Sequence, residues 1–370
     1  MVTVHVREAV KTLRPYRPGQ TQEDLRRFGV ESCVKLGSNE NPLGPAPAVL
    51  EAIRRSAESV RLYPEPGVPR LRRALADHYR RPVEEILTGA GIDDLLDLTV
   101  RCLLDPGDNL VLAFPGFVRY EVAACLAGGT PKRIPGSPAS PYAHDLDAML
   151  AAVDSRTRMI VLVNPNNPTG SMFPRHDFER FLDRVPSGIL TVLDEAYFEF
   201  VDDPEYADGF TYLGGEKPLL VFRTFSKIHS LAGLRVGFGV GPADLIAFLD
   251  RARLPFNVSV PAQEAAIAAL ASPDHVRRSR VLAHEETDFL SVALRERGWQ
   301  VEPTWTNFVF ARCPVPGSPL AEGLMRRGFI LRPLTAFGLD DQWFRISHGT
   351  REQNQALLAA LDAVTRALSP

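Results

Sequence analysis

Cysteine is scarce in this chain: four among 370 residues. Cys33, Cys102, Cys125 and Cys313 lie too far apart for a zinc or redox motif and are too few for the disulfide framework of a secreted mini-domain. They read as buried free thiols, and no metal site is expected. An excess of one charge is also missing. Lys and Arg number 42 against 45 Asp and Glu, a formal net charge of −3 with both signs scattered along the chain. Nothing therefore favours nucleic acid or an anionic membrane as partner, and small molecules remain. The apolar run of about 18 residues that a membrane span requires is absent, and the first segment, MVTVHVREAVKTLRPYRPGQ, lacks the continuous apolar core of a signal peptide. A cytoplasmic protein is expected. Internal repeats and low-complexity tracts are absent too.

What is present is the balance of a soluble globular protein, 45% hydrophobic and 24% charged, punctuated by 31 prolines and 27 glycines. Its middle is the most regular part. LVLAF (Leu110 to Phe114), MIVLV (Met159 to Val163), ILTVLDE (Ile189 to Glu195) and LLVF (Leu219 to Phe222) are short apolar runs without alternation, separated by stretches long enough for crossover helices. They predict a mostly parallel sheet covered on both faces, an α/β fold. Ahead of them, PAVLEAIRRSAESV, VPRLRRALADHYRR and IDDLLDLTVRCLL carry apolar residues at three- and four-residue spacing and predict three helices, the last stopped by Pro106-Gly107-Asp108. Beyond about Leu254 the pattern becomes α+β: helices in PAQEAAIAALAS, HVRRSRVLAHEETDFLSVALRERG and AEGLMRRG, strands in FVFARC and WFRISHG, and a final helix in REQNQALLAALDAVTRAL. Three segments are expected: an arm over 1–37 lying on the small domain or a partner, a large domain over 38–254, and a small C-terminal domain over 255–370.

In open parallel sheets the chemistry gathers beyond the carboxyl ends of the strands. LVLAF runs into PGF with Phe117, MIVLV into NPNNPTG with Asn167, ILTVL into Asp194-Glu195-Ala196-Tyr197, and LLVF into RTFSK with Lys227. Each alone has an ordinary reading as a turn, core or surface residue; four on strand ends of one sheet do not. An amide, a carboxylate, a phenol, an aromatic face and a lysine flanked by hydroxyls suit pyridoxal phosphate. Its aldehyde takes a lysine as a Schiff base, its ring nitrogen a carboxylate, and its phosphate hydroxyls, backbone N–H groups and an arginine. TGAGIDD, ahead of the helix from Ile92, offers such N–H groups at a helix N-terminus.

SNENPLGP, LYPEPG, NPNNPTG, DEAYFEF, RTFSKIHSLAGLRVG and PFNVS, in that order and spacing, resemble the fold-type I pyridoxal-phosphate aminotransferases, and within them the histidinol-phosphate branch. The resemblance runs nearly end to end. It implies the pyridoxal-phosphate-dependent transferase fold: a large domain with a seven-stranded type of sheet, and a smaller α+β domain. It implies that Lys227 carries the cofactor and shuttles the proton, that Asp194 pairs with the ring nitrogen, and that Tyr197 and Asn167 bond its phenolic oxygen. Phe117 would stack on the ring. Thr224, Ser226 and Arg235, eight residues after the lysine, would hold the phosphate with backbone donors at Gly91, Ile92 and Asp93. Tyr63, in LYPEPG, would reach the phosphate of a neighbouring subunit's site, which makes the protein a homodimer. Arg345, Arg332 and Tyr16 would bind substrate, the planar guanidinium fork being matched to phosphate oxygens.

Two stretches depart from the family pattern. Ile92 stands where Ser or Ala usually follows the glycine of the phosphate turn, and Ile228-His229-Ser230 replaces the commoner Ala-Phe-Gly/Ala. His229 is expected to pack under the loop. The activity implied is exchange of an amino group between histidinol phosphate and 2-oxoglutarate. Aminotransfer from aromatic or other amino acids, and a lyase reaction like that of threonine-phosphate decarboxylase, remain open, because Lys227, Asp194 and the phosphate grip serve all three. A cofactor-binding regulator would need an added DNA-binding domain, for which the residues before SNENPLGP leave little room.

Overall fold

A computed structural model of the chain describes residues 4–13, 22–26 and 28–368. A short strand, β1 (Val34–Lys35), precedes the helices Pro47–Ser56 and Pro69–Tyr79, each opened by a proline whose missing N–H costs nothing in the first turn. The large sheet is built from β2 (Ile86–Gly89), β3 (Asn109–Phe114), β4 (Thr130–Pro135), β5 (Thr157–Val163), β6 (Leu190–Asp194), β7 (Leu219–Thr224) and β8 (Gly237–Val240), in the spatial order β2-β8-β7-β6-β5-β3-β4. All neighbours are parallel except those of β8, which runs against both β2 and β7. The central strands are almost wholly buried, as expected for apolar runs covered on two faces.

The runs read as strands are β3, β5, β6 and β7. Three others carry weak signals. β2 and β8 have four residues each and three glycines between them, and the edge strand β4, TPKRIP, has no buried residue and carries the prolines and charges that protect an edge from pairing further. The three early helices are found where the periodicity places them, the third at Ile92–Leu103 with Leu95, Leu96, Thr99 and Val100 on its buried face. The four thiols are free, but only Cys313 is buried. Cys102, read as buried, is exposed, because it lies beside Arg101 on the outer side of that helix.

The second part of the chain forms an antiparallel sheet from β9 (Gln300–Val301), β10 (Phe308–Arg312), β12 (Arg332–Pro333) and β13 (Trp343–Ser347), ordered β12-β13-β10-β9. Helices Pro273–Glu296, Gly317–Met325 and Arg351–Leu368 pack on it around Leu290, Leu294, Leu320, Leu324, Leu357 and Leu361. β11 (Phe329–Ile330) pairs in parallel with β1, so the segment before SNENPLGP is held by the small sheet's neighbourhood. Helix Val260–Leu270, expected in the small domain, packs instead on Pro47–Ser56 and Pro69–Tyr79 through Ala262, Ala265, Ala266 and Ala269. Its small side chains allow that close approach. Among the described residues, no helix is long and apolar enough to cross a membrane.

Candidate active site

The order of the large sheet brings β7, β6, β5 and β3 side by side, so their carboxyl ends form one rim. From β3 the chain reaches β4 on one side and β5 on the other, and the crevice opens at this reversal. A cavity of about 310 Å³ lies there, between the rim, the N-terminus of helix Ile92–Leu103 and the small sheet. Of the residues singled out in the sequence, Ile92, Asp93, Phe117, Asn167, Asp194 and Tyr197 line it, as do Thr224, Ser226, Lys227, Arg235, Arg332 and Arg345. Three do not. Gly91 caps the helix just outside the wall. Tyr63 is 83% exposed and stacks on Phe256, away from this cavity. Tyr16 lies outside the described residues.

Lys227 follows β7 and sends its Nζ to within 3.3 Å of the Ser38 carbonyl and 5.6 Å of the centre of the Tyr197 ring. Asp194, the last residue of β6, is 3% exposed, and burial pushes its carboxyl up to about 7. Two donors work against that rise: the Tyr120 hydroxyl, 3.1 Å from Oδ2, and the Ala196 N–H, 3.1 Å from Oδ1. Phe117 packs edge-on to Tyr120, with ring centres 6.4 Å apart.

A second corner is made for an anion. Gly91 has φ +83°, and a side chain there would meet Arg235 Nη2 at 2.6 Å, so only glycine lets the guanidinium lie across the start of the helix. Gly237 also sits close to this turn: a Cβ there would come 3.1 Å from the Gly91 carbonyl carbon and the Ile92 nitrogen, so that backbone would have to give way by a few tenths of an ångström. Arg235 also donates to Ser226 Oγ at 3.3 Å and approaches Asp93 at 3.5 Å, while Thr224 Oγ1 accepts the Ser226 N–H at 3.0 Å. Backbone donors, two hydroxyls and an arginine thus converge within one turn.

The opposite wall belongs to the small sheet. Arg332 on β12 and Arg345 on β13 stand directly across from each other in register, both nearly buried, so their side chains leave the same face. Arg345 donates to Asn167 Oδ1 at 2.5 Å and to the Gly37 carbonyl at 2.8 Å. The Arg332 guanidinium lies 5.6 Å from the centre of the Phe337 ring.

The motif SNENPLGP carried no residue assignment in the sequence, yet it supplies much of the site. Asn39, buried with φ +57°, uses every polar group it has. Its N–H donates to Ser347 Oγ (2.7 Å), its Oδ1 accepts from that hydroxyl (2.9 Å), its carbonyl accepts from Asn307 (3.1 Å), and its Nδ2 donates to the Tyr197 hydroxyl (2.8 Å). Because Ser347 occupies Oδ1, the amide end of Asn39 must face Tyr197, and the Tyr197 proton is left to point elsewhere. Gly37, Ser38, and the paired Lys35 and Glu40 (2.8 Å) also line the cavity. The available signal was the motif itself; Tyr120 offered only its place three residues after Phe117. His229 turns away from the cavity: it is buried against Phe225, and its Nε2 lies 3.1 Å from Glu199.

A buried carboxylate prepared for a cationic partner, a lysine on the same rim and an anion corner at a helix start together fit pyridoxal phosphate. The fold and this donor set define an aminotransferase of the pyridoxal-phosphate-dependent kind. Residues 31–361 match the family model described as aminotransferase class I and II, and the chain belongs to that family. Curated relatives include a histidinol-phosphate aminotransferase of Moorella thermoacetica, 39% identical over 96% of this chain and 92% of its own length. Another, from an Anaeromyxobacter species, is 40% identical over 96% and 97%. The crystal structure of histidinol-phosphate aminotransferase from Sinorhizobium meliloti in complex with pyridoxal-5'-phosphate superposes with a TM-score of 0.89 at 29% identity, covering 100% of this chain and 99% of that one.

Proposed function

We propose that the protein transfers an amino group from histidinol phosphate to 2-oxoglutarate, with pyridoxal phosphate as cofactor, working as a homodimer in the cytoplasm. The observation that carries the choice of donor is the register pair Arg332 and Arg345. A 2-oxo acid's carboxylate needs one guanidinium; two side by side suit the doubly charged phosphate of a phosphorylated donor. The curated relatives named above support the same reading.

The bound cofactor supplies an aldehyde for the donor's amine and a ring that takes up the electron pair released at the alpha carbon. The chain does the rest. Thr224, Ser226, Arg235 and the N–H groups of Gly91, Ile92 and Asp93 anchor the phosphate end. Asp194 offers a carboxylate to the ring nitrogen, Phe117 a face, and Asn167 and Tyr197 hydrogen bonds to the phenolic oxygen. Lys227, its Nζ steered by the Ser38 carbonyl, would take the proton from the donor's alpha carbon and deliver it to the carbon that was the cofactor's aldehyde, on the other side of the shared nitrogen. Arg345, gripping Asn167 and Gly37, couples occupancy of the substrate end to the position of the cofactor-facing amide. Tyr63 would complete the phosphate grip in a partner's site, and Tyr16 would lie near the substrate phosphate. Since helix Val260–Leu270 packs with the large-domain helices, we place the domain boundary after residue 270 rather than after 254, with residues 1–37 as the arm.

The test is a half-reaction. Histidinol phosphate should bleach the visible band of the reconstituted protein, and 2-oxoglutarate should restore it. Bleaching by phenylalanine but not by histidinol phosphate, or release of carbon dioxide from phosphothreonine, would overturn the assignment.

A further inference from the structure

We propose that Tyr120 is a positioning residue for the cofactor: its hydroxyl, donating to Oδ2 of Asp194, favours the ionised form of that carboxylate in the cofactor-free protein, the form that a protonated ring nitrogen needs. The inference rests on the reading of Asp194 as the ring-nitrogen partner and is independent of which amino donor is used.

Tyr120 is 1% exposed on helix Arg119–Ala127, with its ring among the core residues beneath the sheet and its oxygen 3.1 Å from Asp194. The surroundings of Asp194 otherwise oppose ionisation. Burial is the largest influence, and the carboxylates of Asp93, at the start of helix Ile92–Leu103, and Glu195, next along the chain, add to it. The positive charge of Arg223 is taken up by Glu195 and Asp208. Lys227 and Tyr197 share the cavity wall, but the hydrogen bonds to the carboxylate itself come from Tyr120 and the Ala196 N–H. Of these two, only the hydroxyl belongs to a side chain that substitution can remove.

The consequence has a definite sign. A carboxyl group raised by burial holds its proton until the pH passes its titration point, so capture of a protonated ring must first displace that proton. The Asp194 contribution to cofactor affinity therefore falls on the acid side of its titration and is level above it, while the titration of the ring nitrogen is common to wild type and variants. The Tyr120 hydroxyl stabilises the ionised carboxylate both before and after binding, so its removal changes affinity only where Asp194 is protonated beforehand. Such a hydrogen bond to a charged group corresponds to roughly one to two pH units.

The experiment is equilibrium reconstitution of the cofactor-stripped full-length protein with pyridoxal phosphate, followed by absorbance between pH 6 and pH 8.5. Wild type, Tyr120→Phe and Asp194→Asn are compared. Tyr120→Phe keeps the ring and its packing, and should shift the acid limb upward by roughly one to two units, weakening binding at pH 7 about tenfold while converging on wild type at the alkaline end. Asp194→Asn should lose the limb altogether. A Tyr120→Phe profile parallel to wild type, lowered equally at every pH or not at all, would show a packing role only and overturn the proposal, as would an acid limb that persists in Asp194→Asn. Partial misfolding scales all points of one profile together and leaves its midpoint readable. If wild type takes up no pyridoxal phosphate at any pH, the cofactor reading fails together with the proposal, an outcome distinct from a Tyr120→Phe limb that stays in place.

Discussion

Lys227 and the paired Arg332 and Arg345 lie on opposite walls of one cavity, which separates the tests of attachment and of substrate choice. Lys227→Ala should abolish covalent attachment: after borohydride reduction, mass spectrometry should find no cofactor on the variant and one per chain on wild type. Arg332→Ala should lower kcat/KM for histidinol phosphate by about 10- to 100-fold, the usual scale for a charged hydrogen bond. The loss should appear mainly in KM and spare an unphosphorylated amino donor. An equal loss for both donors would mean that Arg332 supports the fold rather than the phosphate. At this scale the sequence was informative about place: Lys227, Asp194 and Asn167 were each expected beside a strand end of one sheet, and all three line the cavity at that rim. It was silent on Asn39, whose four hydrogen bonds reach residues 158 to 308 positions away.

The elements that frame the cavity depend on two local arrangements that substitution can probe. The start of helix Ile92–Leu103 needs Gly91 both for its left-handed φ and for the space taken by Arg235. Gly91→Ala should destabilise the protein by about 1–3 kcal/mol, the cost of forcing a side chain into a backbone region, positive φ with extended ψ, that is essentially reserved for glycine. It should also speed loss of cofactor on dialysis. Behind the rim, β6 and β7 are joined by Arg223, which is 2% exposed and sits between the rings of Phe198 and Phe210, 3.5 and 3.6 Å from their centres. It pairs with the fully buried Glu195 at 2.7 Å and with Asp208 at 2.6 Å. Arg223→Ala strands the Glu195 charge, so urea denaturation should register a loss of about 3–5 kcal/mol, and Arg223→Met combined with Glu195→Met should recover much of it. The sequence marked the strands that bury both faces. It left β2, β4 and β8 unmarked, because short glycine-rich or exposed strands carry no apolar run; their pairing comes from neighbours already in place.

For the whole molecule, Tyr63 and Phe256 form an exposed aromatic stack, with Leu62, 57% exposed, next to Tyr63 and Leu254, 60% exposed, two residues before Phe256. Such apolar exposure suits a subunit contact. Sedimentation should give a dimer, and Phe256→Asp should shift it towards monomer while lowering cofactor affinity, since the partner's tyrosine would be withdrawn. A monomeric wild type with full activity would refute the shared site. The sequence by itself determined the family and the central strands, because each is written in contiguous motifs or in local periodicity. Tertiary structure alone decided that Arg332 and Arg345 stand face to face, that the Asn39 amide meets the Tyr197 hydroxyl, that the Tyr120 hydroxyl meets Asp194, and that helix Val260–Leu270 packs on helices Pro47–Ser56 and Pro69–Tyr79. Those pairings join distant parts of the chain, and side-chain packing and the hydrogen-bonding needs of buried polar groups select them only once the layers have closed.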